Sequence, residues 1–348
     1  MRTRVLPGVG ESIALAAECL REGGVVGMPT ETVYGLAANA LNDEAVRAVF
    51  AAKGRPADNP LIVHVNCLQM MLPLVSGGMP ETARRLAEVF WPGPLTMIMK
   101  KSSVVAPSVS PFLETVSIRM PSHPVALALI EQCGLPLAAP SANRSGRPSP
   151  TRAAHVLEDM DGMIPLILDG GACEYGLEST VIDVTCEPVR ILRPGAVTPE
   201  MIAAVVGEVE VDPRVLSPLA EGEHPASPGM KYRHYAPKGA LTIISGSPDW
   251  AKKTISAMYD GAVREGKRCC ILALDECVAQ FPGREVHSLG ETQRDAARNL
   301  FDALRQMDAL GVEVMLAQGF DAHGMGLALM NRMARAAGFD ILGEGELA

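Results

Sequence analysis

Two short stretches of this 348-residue sequence hold side chains suited to gripping an anion: Lys53-Gly54-Arg55 and Ser141-Ala142-Asn143. Lysine supplies a point charge and arginine a planar fork, a pairing that matches phosphate oxygens. Pro56 and Pro60 stiffen the segment after the two cations. Basic residues that merely complement a helix C-terminus are the competing reading. The segment 140–151 gathers Ser141, Ser145, Ser149, Asn143, Arg144 and Arg147, so hydroxyl, amide and guanidinium donors could converge on one anion. A solvated turn-rich loop would have the same composition, but the apolar Leu137-Ala138-Ala139 brings this segment up from a core. Pro29-Thr30-Glu31-Thr32-Val33-Tyr34-Gly35-Leu36 offers hydroxyl and backbone donors. The same residues read equally well as a helix start, with Thr30 as N-cap and Glu31 in the first turn. Arg119 ends the apolar run Thr115-Val116-Ser117-Ile118-Arg119, where a charge needs a partner. A carboxylate ligand, Glu31 or Asp183 would each serve. Glu178-Ser179-Thr180 and Arg193-Pro194-Gly195 add further polar punctuation. His64, within Leu61–Val65, reads as a buried strand histidine.

The sequence shows no Ser/His/Asp or Cys/His nucleophile arrangement and no G-x-x-x-x-G-K-[ST]. The eight cysteines form no C-x-x-C, and no Cys/His cluster has zinc-finger spacing; buried, reduced thiols of a cytosolic protein are expected. What remains is an anion or nucleotide site that works by positioning and charge stabilisation.

These side chains need a frame. Helical patterns cover Ser12–Leu20 (Ser12 as cap), Glu44–Ala52, Pro80–Phe90 and Pro124–Cys133. Strand-like runs are Val25–Met28, Leu61–Val65, Leu95–Met99, Val116–Met120, Met163–Leu168 and Thr180–Val184. Helices and strands mixed without strict alternation predict an α/β domain with a twisted, partly mixed sheet over 1–211. Residues 212–238 hold five prolines and read as a linker. Over 239–348 strands and helices alternate, which predicts a smaller three-layer, Rossmann-like domain with a parallel sheet. Its first strand lacks G-x-G-x-x-G, and His323-Gly324-Met325-Gly326 reads as a tight strand-to-helix turn.

Composition sets outer limits. The formal net charge is −9 and aromatics are only 4%, which argues against a nucleic-acid grip built on positive charge and stacking. The 21 residues Pro60–Pro80 lack charge, but three prolines and the polar residues among them exclude a membrane span.

In this order the motifs resemble the YrdC-type threonylcarbamoyl-AMP synthases in their long, two-domain form. The matches are PTETVYGL (29–36), KGRPADNPLIVHV (53–65), WPGPLT (91–96), SIRMPSHP (117–124), APSANRSGRPSPT (139–151), GLESTVID (176–183) and ILRPG (191–195). SPGMKYRHYAP (227–237) and GMGLALMNRMARAAG (324–338) mark the long form. Ala37 stands where the family often has Gly, and Met325 where Leu is common.

The resemblance implies that L-threonine, bicarbonate (or CO2) and ATP give threonylcarbamoyl-AMP, pyrophosphate and water. A separate tRNA threonylcarbamoyl-transfer machinery would consume the product beside the anticodon, with no direct tRNA contact required here. It further implies a cytoplasmic enzyme, no membrane partner, and Mg2+ carried by ATP without dedicated protein ligands. By resemblance, Lys53 and Arg55 are catalytic. Thr32, His64, Arg119, the backbone at Ala139, and Ser179 contact threonine. Arg55, Asn59, Thr115, Ser141, Asn143, Ser149, Arg193 and a linker tyrosine (Tyr232 or Tyr235) contact the nucleotide. A double-stranded-RNA-binding module and a carbamoyl-phosphate-dependent transferase are the alternatives.

Overall fold

A computed structural model describes residues 2–56, 59–217 and 235–345. The chain divides into two compact units: Met1–Ser145 with Ser149–Tyr232, and Gly146–Pro148 with Arg233–Ala348.

The first unit runs β1 (Arg4–Pro7), α1 (Gly10–Arg21), β2 (Val26–Met28), β3 (Gly35–Asn39), α2 (Asp43–Lys53), β4 (Ile62–His64), α3 (Leu68–Met71), α4 (Glu81–Phe90) and β5 (Leu95–Lys100). It continues with β6 (Thr115–Arg119), α5 (Pro124–Cys133), β7 (Leu137–Ala138), α6 (Ala153–Met160), β8 (Leu166–Asp169), β9 (Thr180–Asp183), β10 (Val189–Arg193), α7 (Pro199–Val206) and β11 (Val209–Val211). Among the described residues these strands form one sheet, ordered β1-β8-β2-β3-β7-β4-β6-β5-β9-β10-β11, with parallel and antiparallel neighbours mixed.

Local chemistry explains the helix ends. Asn42 accepts from the backbone N–H groups of Glu44 and Ala45 and starts α2. Pro124 at the first turn suits α5, where a missing N–H costs nothing. Helix α1 differs from expectation: it starts at Gly10 with no side-chain cap, so Ser12 is not its cap. No helix starts at Thr30. Its Oγ1 instead accepts from the N–H groups of Thr32 (3.2 Å) and Val33 (3.3 Å), which folds a tight turn leading into β3.

One face of β4, β5, β6 and β9 packs a large core through Val63, Leu95, Met97, Val116, Ile118 and Ile182. The opposite face has a small apolar floor of Ile62, Ile98, Val181 and Leu192. Polar residues surround that floor, and they form the candidate site.

The second unit runs β12 (Ala240–Ser245), α8 (Pro248–Arg264), β13 (Cys269–Ala273), α9 (Asp275–Val278), β14 (Val286–Ser288), α10 (Gln293–Leu310), β15 (Val314–Gln318), α11 (Gly324–Ala336) and β16 (Ile341–Gly343). Its sheet is parallel throughout, ordered β14-β13-β15-β12-β16. Thr292 and Asp295 form a reciprocal capping box at the start of α10. All eight cysteines are unpaired. Among the described residues no helix is long and apolar enough to cross a membrane.

Candidate active site

Strand alternation builds the site. Thr115, Ser117 and Arg119 of β6 share one face, while Val116 and Ile118 face the core. The register sets Arg119 beside His64 of β4 on one side and Thr96 of β5 on the other.

Arg119 is buried and carries the protein partner that the sequence left open. Its Nη2 meets Glu31 Oε1 at 2.6 Å, Nη1 donates to Thr32 Oγ1 at 2.8 Å, and Nε donates to the Gly93 carbonyl at 3.2 Å. Asp183, another candidate, turns its carboxylate to Thr185. A guanidinium has five N–H groups. The three contacts leave one on each terminal nitrogen, a fork that a substrate carboxylate can take. Burial alone would raise the Glu31 pKa. The charge and hydrogen bond of Arg119, with backbone donors, outweigh it and hold the carboxyl below its ordinary range.

His64 lies in the same pocket. Burial first, and the Arg119 charge second, push its imidazole down to about 3. It is therefore neutral near pH 7. Nδ1 lies 3.2 Å from the Ile62 carbonyl, and the neutral ring with its proton on Nδ1 donates there. Ser179 completes this side: its Oγ is 2.8 Å from Thr96 Oγ1 and accepts from Arg193 Nη2 at 3.1 Å, while Arg193 Nε donates to the Ser179 carbonyl at 3.0 Å. The Ala139 N–H donates to the Ile62 carbonyl at 2.9 Å, fixing the end of β7 against β4. Thr32, His64 and Ser179 thus lie around Arg119, through its own contact, its β4 neighbour and Thr96, while Ala139 is registered at the other end of β4.

Gly195, named in the sequence only within Arg193-Pro194-Gly195, governs this wall. A Cβ there would lie 2.5 Å from the Thr180 nitrogen and 2.8 Å from the Glu178 carbonyl. Only glycine lets the chain after β10 press against the segment that presents Ser179.

The second group centres on Lys53, which is buried at the end of α2. Its Nζ donates to the carbonyl of Ser141 and to that of Asn143 (2.8 Å), with Asn143 Oδ1 3.5 Å away. Ser141 Oγ donates to Asn143 Oδ1 at 2.6 Å. The Ser145 N–H returns to the Lys53 carbonyl at 3.0 Å. Through these contacts Lys53 braces the loop that presents Ser141 and Asn143. Burial, and then the nearby Arg55 charge, push the Lys53 pKa well below its usual value. Arg55 Nη2 donates to the Asn59 carbonyl at 3.4 Å. The Asn59 carboxamide is fully buried, with neither polar atom hydrogen-bonded among the described residues.

The remaining expected residues spread further. Ser149 Oγ donates to Glu178 Oε1, next to Ser179 in the chain. Thr115 lies at the opposite end of β6 from Arg119, on the same face. Tyr232 lies outside the described residues. Tyr235 belongs to the second unit, where its ring packs on Phe301 at 5.0 Å, with the Arg332 guanidinium 5.9 Å from its centroid.

The twisted mixed sheet of the first unit carries buried Arg119 and His64 and a lysine-braced Ser-x-Asn loop. Residues 18–195 match the family of α/β domains described as "Telomere recombination", and residues 197–338 match the "Threonylcarbamoyl-AMP synthase, C-terminal domain". The threonylcarbamoyl-AMP synthase of Pyrococcus abyssi is 47% identical over 330 residues, covering 95% of both chains. That of Bacillus subtilis is 47% identical over 329 residues, covering 94% of this chain and 93% of its own. The crystal structure of P. abyssi Sua5 complexed with L-threonine superposes with a TM-score of 0.91 at 45% identity, covering 99% of each chain. The chain belongs to the threonylcarbamoyl-AMP synthase family, in its two-domain form.

Proposed function

We propose that this chain forms threonylcarbamoyl-AMP from L-threonine, bicarbonate and ATP, releasing pyrophosphate and water. The observation that carries this is the buried fork of Arg119, held by Glu31, Thr32 and Gly93 beside a neutral His64, in a family whose P. abyssi structure is complexed with L-threonine.

The threonine carboxylate takes the two remaining Arg119 N–H groups. Its amine, having shed one proton, bonds the bicarbonate carbon; hydroxide leaves with a second amine proton as water. The carbamate oxygen then attacks the α-phosphorus, and the bond to pyrophosphate breaks. Negative charge builds on the phosphate oxygens. Arg55, Asn59 and the Ser141/Asn143 loop face that charge, and Lys53 holds the loop in place. Mg2+ carried by ATP would add charge neutralisation, with no dedicated protein ligand expected. No enzyme nucleophile is required, because the substrate supplies one; most of the acceleration comes from holding the reactants together. The product feeds threonylcarbamoylation of tRNA by a separate transfer machinery, within the cytoplasm.

The test is pyrophosphate release from ATP with threonine and bicarbonate omitted in turn. Release should require both. Release that needs neither rejects the reading, and release driven by carbamoyl phosphate without threonine selects the alternative transferase.

A further inference from the structure

The second unit contains a cavity that the proposed reaction does not use. The chain crosses the sheet from β12 through α8 to β13 in one direction, and from β14 through α10 to β15, then through α11 to β16, in the other. Right-handed crossovers in opposite directions place their helices on opposite faces. The packing agrees: Ile244, Ile271 and Leu316 meet Ala251 and Ile255 of α8, whereas α10 packs on α11 and α11 on β12. Strand β15 lies between β13 and β12, and its carboxyl end leads to α11 while theirs lead to α9 and α8. Parallel sheets bind ligands where neighbouring strand ends diverge in this way.

A cavity of about 320 Å³ opens at that place, within the range of small-molecule sites. Its lining residues include the acidic Glu276 and Asp321, the amides Gln293 and Gln318, and the apolar Leu272 and Phe320. No lysine, arginine or histidine is among the lining residues. The usual seat for a phosphate, the N-terminus of the first helix, is already filled. There Glu344 accepts from the Ser247 N–H at 2.7 Å and from Ser247 Oγ at 3.0 Å. Cys277 Sγ lies 3.8 Å from Gln318 Oε1, an orientation that turns the Gln318 amide protons elsewhere.

We propose that this cavity is a second small-molecule site, one that takes an uncharged nucleoside rather than a nucleotide. Carboxylates accept from ribose hydroxyls, carboxamides both donate to and accept from a base edge, and Leu272 and Phe320 flank the ring. A phosphate would enter with carboxylates and no cation to meet it.

The experiment is hydrogen exchange with mass-spectrometric readout on the full chain, using adenosine as the probe. Adenosine at millimolar concentration should slow amide exchange in residues 274–277 and 319–321 and slow alkylation of Cys277 several-fold. Gln318→Leu should weaken that protection at least tenfold; should that variant fold poorly, the exposed Glu276→Gln provides the same comparison. AMP, ATP and spermidine are the contrasting arms. Absence of protection in both segments and at Cys277, stronger protection by AMP or ATP, or protection by spermidine alone would each overturn the proposal.

Discussion

Replacing Lys53 by methionine keeps the buried volume and removes three donors from the Ser141–Asn143 loop. Turnover should fall roughly 100-fold, with stability reduced by about 1–3 kcal/mol for the acceptors left unpaired. Pyrophosphate-release kinetics and thermal unfolding check both; full activity would remove Lys53 from the mechanism. His64 gives a pH signature. Its folded-state pKa is about 3, below the unfolded value near 6.5. Protonation therefore favours the unfolded chain, and its stabilising contribution is complete above about pH 6.5 and fades as pH falls toward 3, by up to roughly 1.4 kcal/mol per pH unit. His64→Gln should flatten that acid limb of a stability-versus-pH curve; an unchanged slope would show that His64 is not the titrating group. The residue types of this pocket were legible in the sequence, but the pairing was not. Glu31, Asp183 and a ligand could each answer Arg119, and only the turn at Thr30 decides for Glu31. The loop contacts of Lys53 were hidden for a related reason: its partners are carbonyls about 90 residues away, which no spacing announces.

Among elements, Gly195→Ala tests the wall behind Ser179. The added methyl must push the 178–180 segment aside, so threonine KM should rise at least tenfold, while circular dichroism stays close to the parent. A threonine KM equal to the parent's would show that the segment yields harmlessly. The helices were the most readable elements, because apolar periodicity and end signals agree, as in α5 and α10. Strands β3 (GLAAN) and β7 (LA) were invisible: glycine and alanine have little strand preference, and two residues show no period. They exist because antiparallel pairing of β3 with β2 and β7, and of β7 with β4, satisfies their backbones. Gly326 shows the reverse case. The turn read at 323–326 is instead the start of α11, with His323 as N-cap and Gly324–Gly326 in its first turn, and a Cβ at Gly326 would meet the Asp321 carbonyl at 2.1 Å.

For the molecule as a whole, net charge −9 bears on the RNA-binding alternative. Filter retention of double-stranded RNA should be weak, without a steep dependence on salt; tight binding with a steep slope would revive that reading. The strand order carries one more consequence. Strand β1 pairs with β8, some 160 residues further along the chain. At a translation rate of roughly 5–20 residues per second, β1 waits about 10–30 s for this neighbour to be made. Throughout that interval β1 has no partner to template it, so growing chains should depend on holding chaperones until β8 is made.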